Sequence, residues 1–324
     1  MSLGPASLRT WGAVDLAVNA FVASVYIAAG IAGLQFTFFH PDVTSVWACS
    51  GIALAAILLR GPRVLPAIGI GAFAVNFWLT KDFPVALGVA VGNLAEAAFG
   101  WWVLSRGSRF DVKLTRLRDV GALLTYGVAA GPLLAATIGP LSLCAFGRAS
   151  WGAFPRISLV WWLGDSLGVL LFTPLILAWI ARSKSQAGDN PVWRAVALLA
   201  AQVFVIQIVF NGWLGLPVSI DLATYALLPF AILLAATGPL RYSTLASALL
   251  FITAVWATAH GSGPFAFGDP VENLYLLHVF LVISSFTALL VAGVNAERSQ
   301  TVFDARGTVE RYRRLAELTA DWYW

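Results

Sequence analysis

The sequence predicts an all-α, polytopic transmembrane helix bundle, and three observations favour this fold class. The chain of 324 residues is 59% hydrophobic and only 11% charged, whereas soluble domains carry roughly 25% charged residues. Its apolar segments approach the roughly 20 residues that a helix needs to cross the hydrocarbon core of a bilayer. Its basic residues lie at the ends of those segments, as in proteins that are oriented in a membrane. The net charge of +4 therefore indicates lipid contact and no nucleic-acid partner.

Ten apolar segments follow one another along the chain. They cover about 13–35, 46–60, 63–80, 84–105, 119–146, 157–181, 193–213, 222–238, 242–260 and 273–296. The second, third and eighth segments are short, so we expect between eight and ten full spans. The first segment is long and lacks a small-residue cleavage site, so we expect it to be retained as a span.

The positions of the basic residues predict the orientation. With ten spans and a cytoplasmic C-terminus, only Lys81, Arg148 and Arg156 of the 20 Lys and Arg residues fall in outer loops. Because cytoplasmic loops carry the excess of Lys and Arg, we expect a multi-pass protein of the bacterial inner membrane with both termini in the cytoplasm. The basic stretch 106–118 is then expected to contact anionic lipid of the inner leaflet.

The chain divides into three regions: a cytoplasmic N-terminus over 1–12, a membrane-embedded domain over 13–296 and a cytoplasmic linker helix over 297–324. Apolar and small residues of the linker fall at heptad a and d positions, namely Val302, Ala305, Val309, Tyr312, Ala316 and Thr319. This pattern is typical of a short coiled coil. We expect a homodimer through this helix, with Val302, Val309 and Tyr312 relaying the signal.

Two acids lie deep within apolar segments. Asp165 stands in "WWLGDSLGVLLFTP", about nine residues inward from Arg156, which is ~13 Å along a helix. Glu96 follows Pro84 by about twelve residues, or ~18 Å. A charge at such depth costs about 2.5–3.5 kcal/mol on insertion scales, and such residues usually face the bundle interior. Both acids are therefore expected to point inward.

These acids allow two interpretations. One is a polar pocket lined by Asp165, Glu96, Asn93 and Asn76, with Tyr126 in reach, that binds a small cationic or polar ligand or a proton. Asn93 belongs to the same helical face as Glu96, because the two are three residues apart. The other interpretation is structural: the polar groups join helices that approach closely at paired glycines. These pairs are Gly164 with Gly168, Gly88 with Gly92, and Gly127 with Gly131.

The other ionisable and reactive residues predict no established chemistry. The histidines His40, His260 and His278 are expected at the outer rim, where a pH or metal sensor is conceivable, but no ligand spacing links them. Cys49 and Cys144 are both expected near the outer face, either as a disulfide or as separate buried thiols. No catalytic set, metal site or cofactor motif is present in the sequence.

Three stretches resemble a known family. They are "SGIALAAILLRGPRVLPAIGIGAFAVNFW", "WWLGDSLGVLLFTPLILAW" and "ENLYLLHVFLVISSFTALLVAGVNAER", which are similar to the membrane-associated sensor domain of the first MASE class over about 13–298. The family usually has a Pro-Pro pair where this chain has Ala48 and Cys49. The closing "RYRRLAELTADWYW" resembles the start of a PAS domain. The resemblance implies an input domain of a histidine kinase or a diguanylate cyclase, with catalysis beyond Trp324.

Two other classes remain open from the sequence. Intramembrane acids and a fifth span broken at Gly131-Pro132 and Gly139-Pro140 also suit a secondary transporter for a small polar solute. A scaffold that recruits a partner membrane protein is the third class. Two hairpins that both turn on a Gly-Pro pair, at Gly61 and Gly238, indicate either an internal duplication or the ordinary use of Gly-Pro in turns.

Overall fold

The computed structural model describes residues 11–34, 47–107, 110–181, 192–215, 220–266 and 270–320, and these are almost entirely helical. Eleven α-helices are described: α1 Ala13–Gly33, α2 Ala48–Arg60, α3 Leu65–Thr80, α4 Phe83–Gly107, α5 Leu117–Ala122, α6 Pro132–Ala145, α7 Phe154–Ile180, α8 Val192–Asn211, α9 Ile220–Thr237, α10 Leu240–Ala259 and α11 Pro270–Ala320. A π-helical segment, Leu123–Ala130, joins α5 to α6. The all-α prediction is confirmed.

Eight of the described helical segments are long and apolar enough to cross a membrane. The shorter apolar helices are Ala48–Arg60 and Ala226–Thr237, at the second and eighth segments of the sequence prediction. The third segment, which looked short, is extended to Pro62–Thr80 by a 3₁₀ turn. Large apolar side chains cover much of the described surface, among them Phe21, Trp78 and Ile180, as expected of a protein that contacts lipid.

The chain forms two compact units. The first comprises residues up to Gly107 and the stretch from Tyr126 to Val169; the second comprises Ser108–Thr125 and the remainder from Leu170. In the first unit, α3 packs on α1 and α4, and α4 packs on α2 and α6. In the second, α10 packs on α8 and α11, and α9 packs on α8 and α11.

Each unit has an apolar interior of its own. In the first, Val85 and Val89 of α4 pack with Leu143 of α6 and with Ile157 and Val160 of α7. In the second, Ala195, Leu234 and Ala246 bring α8, α9 and α10 together. Ala195 and Ala246 are small, so α8 and α10 can approach closely, and such close packing is a main source of association energy between helices in lipid.

Two tight turns use Gly-Pro. Gly61 has φ +75°, a left-handed conformation that glycine adopts without strain, and its N–H donates to the Ile57 carbonyl at 2.8 Å. Pro62 then begins the next turn, where its missing N–H costs nothing. Gly238 similarly closes α9 through a 2.8 Å bond to the Leu234 carbonyl, and Pro239 precedes α10.

The break in the fifth span is a π-helical segment. The Gly131 N–H donates to the Tyr126 carbonyl at 2.9 Å, because Pro132 cannot supply the N–H that would continue an α-helical ladder. The indole N–H of Trp162 donates to the Ala129 carbonyl at 2.9 Å. A neighbouring helix therefore satisfies a carbonyl next to the break, and the described segment Leu117–Ala145 stays long enough to span.

Candidate functional site

Helix α2 begins inside the first unit, beside α7. The Trp47 N–H donates to the Gly164 carbonyl at 3.1 Å, so the start of α2 adjoins the residue that precedes Asp165. A Cβ on Gly168 would lie 2.0 Å from the Trp47 carbonyl oxygen, so only glycine permits this approach. The 13 residues of α2 span about 20 Å, which is less than the hydrocarbon core.

Two carboxyl groups meet at the first turn of α2. The Ser50 hydroxyl donates to Glu96 Oε2 at 3.0 Å. Asp165 is close enough to Glu96 for their charges to interact, and the Ser50 hydroxyl and the Trp161 indole are its polar neighbours. Neither Asp165 oxygen, however, has a hydrogen bond of normal geometry. The Asp165 and Glu96 side chains are only 1% and 4% exposed, so the predicted inward orientation of both is found.

Helix α1 completes the group. The Cys49 thiol donates to the Tyr26 carbonyl at 3.3 Å, and the Tyr26 ring lies against Gly71, where a Cβ would be 2.9 Å away. The Tyr26 side chain is 0% exposed, and among the described residues its hydroxyl has no hydrogen bond of normal geometry, although the Trp47 side chain is its polar neighbour. Tyr26 interacts electrostatically with Cys49 and with both acids. We call Tyr26, Cys49, Ser50, Glu96 and Asp165 the acid cluster.

The acid cluster is electrostatically unbalanced. The described Lys and Arg residues of the first unit are all exposed, namely Arg60, Arg63, Lys81, Arg106, Arg148 and Arg156. The positive end of the α2 dipole is equivalent to roughly half an elementary charge. This partial positive charge can offset only part of the negative charge of two carboxylates. Asp119, a third buried acid, differs because its carboxylate lies 3.8 Å from the Arg118 guanidinium.

More polar atoms near these residues lack partners. Both amide atoms of Asn93, which precedes Glu96 by one helical turn, have no hydrogen bond, and neither do Glu96 Oε1 and the Ser166 hydroxyl. Buried polar groups in folded proteins nearly always have a partner, whether protein or water. The cluster therefore has the capacity to bind a polar or cationic guest.

Two further predicted lining residues, Asn76 and Tyr126, differ from the acids in hydrogen bonding and in exposure. Asn76 is buried in α3, but its amide donates to the Ala72 carbonyl of its own helix at 2.8 Å. Tyr126, in the π segment, is 39% exposed, which differs from the expected inward position. The wider turn of a π-helix changes which residues face inward.

The rim candidates separate in the structure. His40 lies outside the described residues. His260 is exposed at the end of α10, where its ring stacks on Trp256 at 4.1 Å between centroids. His278 is only 3% exposed in α11, so its side chain is buried among neighbouring side chains. Among the described residues, His, Cys, Asp and Glu form no group of three that suits a metal ion.

Both cysteines are free and buried. The Cys144 thiol donates to the Ser150 carbonyl at 3.5 Å, and Cys49 belongs to the acid cluster. Of the two alternatives from the sequence, the structure has separate thiols.

Glu297 occupies the junction between the membrane part and the tail of α11. Its Oε2 accepts the Leu117 N–H at 2.8 Å, so it satisfies one of the free donors at the start of α5. A Cβ on Gly293, one turn earlier, would lie 2.8 Å from Val120. The relay candidates Val302, Val309 and Tyr312 follow on the same helix and are exposed.

Sequence reasoning missed several of these residues. Ser50, Tyr26 and Glu297 carry common side chains. The hydrogen-bond partner of Ser50 is 46 residues away in sequence, and that of Glu297 is 180 residues away. The one available signal was a hydroxyl residue just before the apolar run of α2, which is typical of the first turn of a helix.

A comparison with protein families finds one match. The MASE1 family model matches residues 18–299, which is most of the chain. No curated protein and no solved structure matches. Because the matched region covers more than half of the chain, includes the acid cluster and, of the candidate spans, leaves only the first residues of α1 and the last residues of α11 outside it, the chain belongs to the MASE1 family of membrane-integral sensory domains, which occur in signalling proteins.

Proposed function

We propose that this chain is the sensory input domain of a bacterial signal-transduction protein of the histidine kinase or diguanylate cyclase type. It lies in the inner membrane with both termini in the cytoplasm, as the distribution of basic residues predicts. The observation that carries the proposal is the continuity of α11, which runs for 51 residues from Pro270 to Ala320. A helix of this length extends about 77 Å, far more than a membrane requires.

The two ends of α11 have different surroundings. Its membrane part contributes buried side chains such as Leu277, Leu281 and Leu289. Every described side chain from Thr301 to Glu317 is exposed. A helix is a stiff element, so a shift or rotation of the buried end is carried to the tail.

The base of the tail is coupled to α5. Glu297 accepts the Leu117 N–H, and Gly293 contacts Val120. In the proposed relay, a displacement of the start of α5 moves α11 at the point where it leaves the apolar region. The signal itself acts on the bundle, and the ligand candidates are Asp165, Glu96 and Asn93.

The tail is proposed to pair with a second copy. Val302, Val309 and Tyr312 occupy a and d positions and are 43%, 67% and 70% exposed. Isolated helices of this kind are marginal in water, and most helical stability in proteins comes from packing of an apolar face. A parallel dimer supplies that packing, and a change in the register of its two helices is what changes the activity of the output module in this proposal.

The test inserts residues after Ser299 in the full-length protein in membranes. One inserted residue rotates the following helix by about 100°, whereas seven restore the heptad phase to within about 20°. We expect one- and two-residue insertions to change output activity at least about tenfold, and the seven-residue insertion to preserve it. Output is measured as autophosphorylation with ATP and as cyclic di-GMP synthesis from GTP.

Equal activity of all insertion variants would contradict the relay. A transporter is the competing class, favoured by the short α2 that begins beside Asp165, since broken helices often line transport sites. Solute uptake by proteoliposomes that carry the chain, together with insensitivity to the insertions, would establish that class instead. Pull-down of a membrane partner without any small-molecule effect would indicate a scaffold.

A further inference from the structure

The acid cluster buries two acidic side chains, whereas the described Lys and Arg side chains of the first unit are all exposed. Asp165 and Glu96 interact with each other, and within the described residues Ser50 donates the one hydrogen bond of normal geometry to either carboxyl group. An unpaired carboxylate in a medium of low dielectric constant is unfavourable by many kcal/mol, so such groups are protonated, paired or bound to a cation.

The unpartnered atoms around the two acids favour the third of these states. The Tyr26 hydroxyl is fully buried and interacts with both acids, and among the described residues it has no hydrogen bond of normal geometry, the Trp47 side chain being its polar neighbour. Asn93, 4% exposed and one turn from Glu96, leaves its amide oxygen unpartnered as well. Protonation of one carboxyl group would supply a single O–H donor, enough for only one of the Tyr26 and Asn93 oxygens, whereas a cation can bind all of them.

We propose that Glu96 and Asp165, with the Tyr26 and Asn93 oxygens, form a binding site for one small monovalent cation, an alkali ion or ammonium. The proposal rests on the sensory function above, since occupancy of the site is then the input that the domain detects. It extends that function by naming the chemical class of the ligand.

The donor set explains the choice of cation. All these ligand atoms are oxygens, which suit hard cations and not the softer metals that bind thiolate and imidazole. Divalent ions of the Ca²⁺ class take six to eight oxygens, and their affinity follows the number of charged ligands. Here only two carboxyl groups are present, and the positive end of α2 already offsets part of their charge.

The site also adjoins the first turn of α2, whose position can change when a cation binds. Ser50 and Cys49 belong to the first turn of α2 and contact Glu96 and the Tyr26 carbonyl, while the Trp47 N–H is bonded to the residue before Asp165. A cation between the acids would draw α4 and α7 towards the start of α2. Loss of the cation would leave the two acids to retain a proton, because joint ionisation of two neighbouring carboxyl groups is disfavoured.

The test compares thermal unfolding of the full chain, purified in detergent, in choline chloride and in equal concentrations of NaCl, KCl or NH₄Cl. Choline serves as the ionic-strength control because it is too large for a site of four side chains. We expect at least one small cation to raise the Tm by about 2–4 °C, as about 1 kcal/mol of ligand stabilisation would. The salt that gives the shift identifies the ion.

Three variants locate the effect. Glu96→Gln keeps an acceptor for Ser50 but removes the negative charge. Asp165→Asn likewise keeps an amide oxygen and removes the negative charge of the second acid. Both should abolish the difference between the small cation and choline. Asp15→Asn removes a half-buried carboxylate, outside the acid cluster, that pairs with Arg63, and it should retain the full cation response.

A measurement on the wild-type chain covers the case in which the two variants fail to fold. Dicyclohexylcarbodiimide labels buried carboxyl groups, and mass spectrometry identifies the labelled residue. We expect label on Glu96 or Asp165 in choline chloride and at least about fivefold less in the stabilising cation. Equal Tm in all four salts, stabilisation only by Mg²⁺ or Ca²⁺, or labelling that no cation reduces would overturn the proposal. None of these results depends on signalling output, so they are distinguishable from a failure of the insertion test.

Discussion

In helices α1–α4, the short α2 packs against α1 and α4, while α3 packs against the same two helices. Helices α8–α11 repeat this arrangement, with α9 in the place of α2 and α10 in the place of α3. In both groups a Gly-Pro turn follows the second helix. These shared pairings support an internal duplication.

The interiors of the two groups differ in charge. The first contains the carboxyl groups of Glu96 and, from α7, Asp165. Among the described side chains of α8–α11, the buried polar ones are neutral amides and hydroxyls together with His278. Gln202, for example, is fully buried and its amide donates to the Ala246 carbonyl at 3.4 Å. The same helix packing therefore encloses a neutral polar group in one place and two carboxyl groups in the other.

The strongest test of this difference transfers a carboxylate to the second group. Gln202→Glu removes the amide donor and places a charge beside the Ala246 carbonyl, with no donor to replace it. We expect a loss of about 3–5 kcal/mol in the free energy of unfolding, the usual cost of an uncompensated buried charge. Gln202→Met, which keeps the volume without charge, should cost about 1 kcal/mol. The measurement is unfolding by SDS in mixed micelles; equal losses for both variants would contradict the distinction.

The next test acts on the contact that places α2. Gly168→Ala puts a methyl group where only 2.0 Å separates it from the Trp47 carbonyl oxygen, so α2 must move away from α7. We expect destabilisation of about 2–3 kcal/mol, within the range for overpacking, in the same unfolding assay. Gly152→Ala is the matched control, since nothing lies within 4 Å of its Cβ, and it should change stability by less than about 0.5 kcal/mol.

Two serine substitutions in the first unit test whether the Ser50–Glu96 hydrogen bond contributes to stability. Ser50→Ala removes the donor to Glu96 Oε2 and leaves a buried carboxyl group without its hydrogen bond, at a cost of about 1–3 kcal/mol. Ser158→Ala removes a buried hydroxyl that has no hydrogen-bond partner, so it should be neutral or stabilising. Equal destabilisation by the two substitutions would show that the Ser50–Glu96 bond contributes nothing of its own.

The smallest expected effect concerns Glu297, an exposed carboxylate whose Oε2 accepts the Leu117 N–H. Glu297→Ala leaves the Leu117 N–H without its acceptor and should cost about 1 kcal/mol, as loss of a helix cap does. Hydrogen exchange should become faster at the Leu117 amide. Glu310→Ala, in the exposed part of α11, is the control and should leave that amide unchanged; an unaltered exchange rate in Glu297→Ala would exclude the coupling.

Much of the fold could be predicted from local sequence. Helices α4, α7 and α10 follow from apolar runs of spanning length, and the two Gly-Pro turns mark the ends of α2 and α9. The inward orientation of Glu96 and Asp165 followed from the cost of placing a charge in lipid. The third span was underestimated because the 3₁₀ turn at Pro62–Val64 extends it, and a turn of this kind depends on how the chain leaves Gly61.

The candidate site could be predicted only in part. Asn93 and Glu96 share a helical face, so their proximity is a matter of spacing. Asn76 and Tyr126 were expected in the same pocket, but Asn76 bonds to its own helix and Tyr126 is exposed. His278 was expected at the rim and is buried. In each case the sequence gives the depth of a residue, whereas the rotation of its helix depends on the neighbours.

Composition and charge placement by themselves determined that this chain is a helical membrane protein, because lipid accepts only backbones whose hydrogen bonds are satisfied internally. They also determined that its buried acids avoid lipid. The tertiary structure alone decided that α2 begins beside Asp165, that Ser50 and Tyr26 face the two acids, and that Glu297 holds the start of α5. These contacts join residues that are far apart in sequence, and they depend on small residues such as Gly168 and Gly71 that let backbones and rings approach where no local pattern requires it.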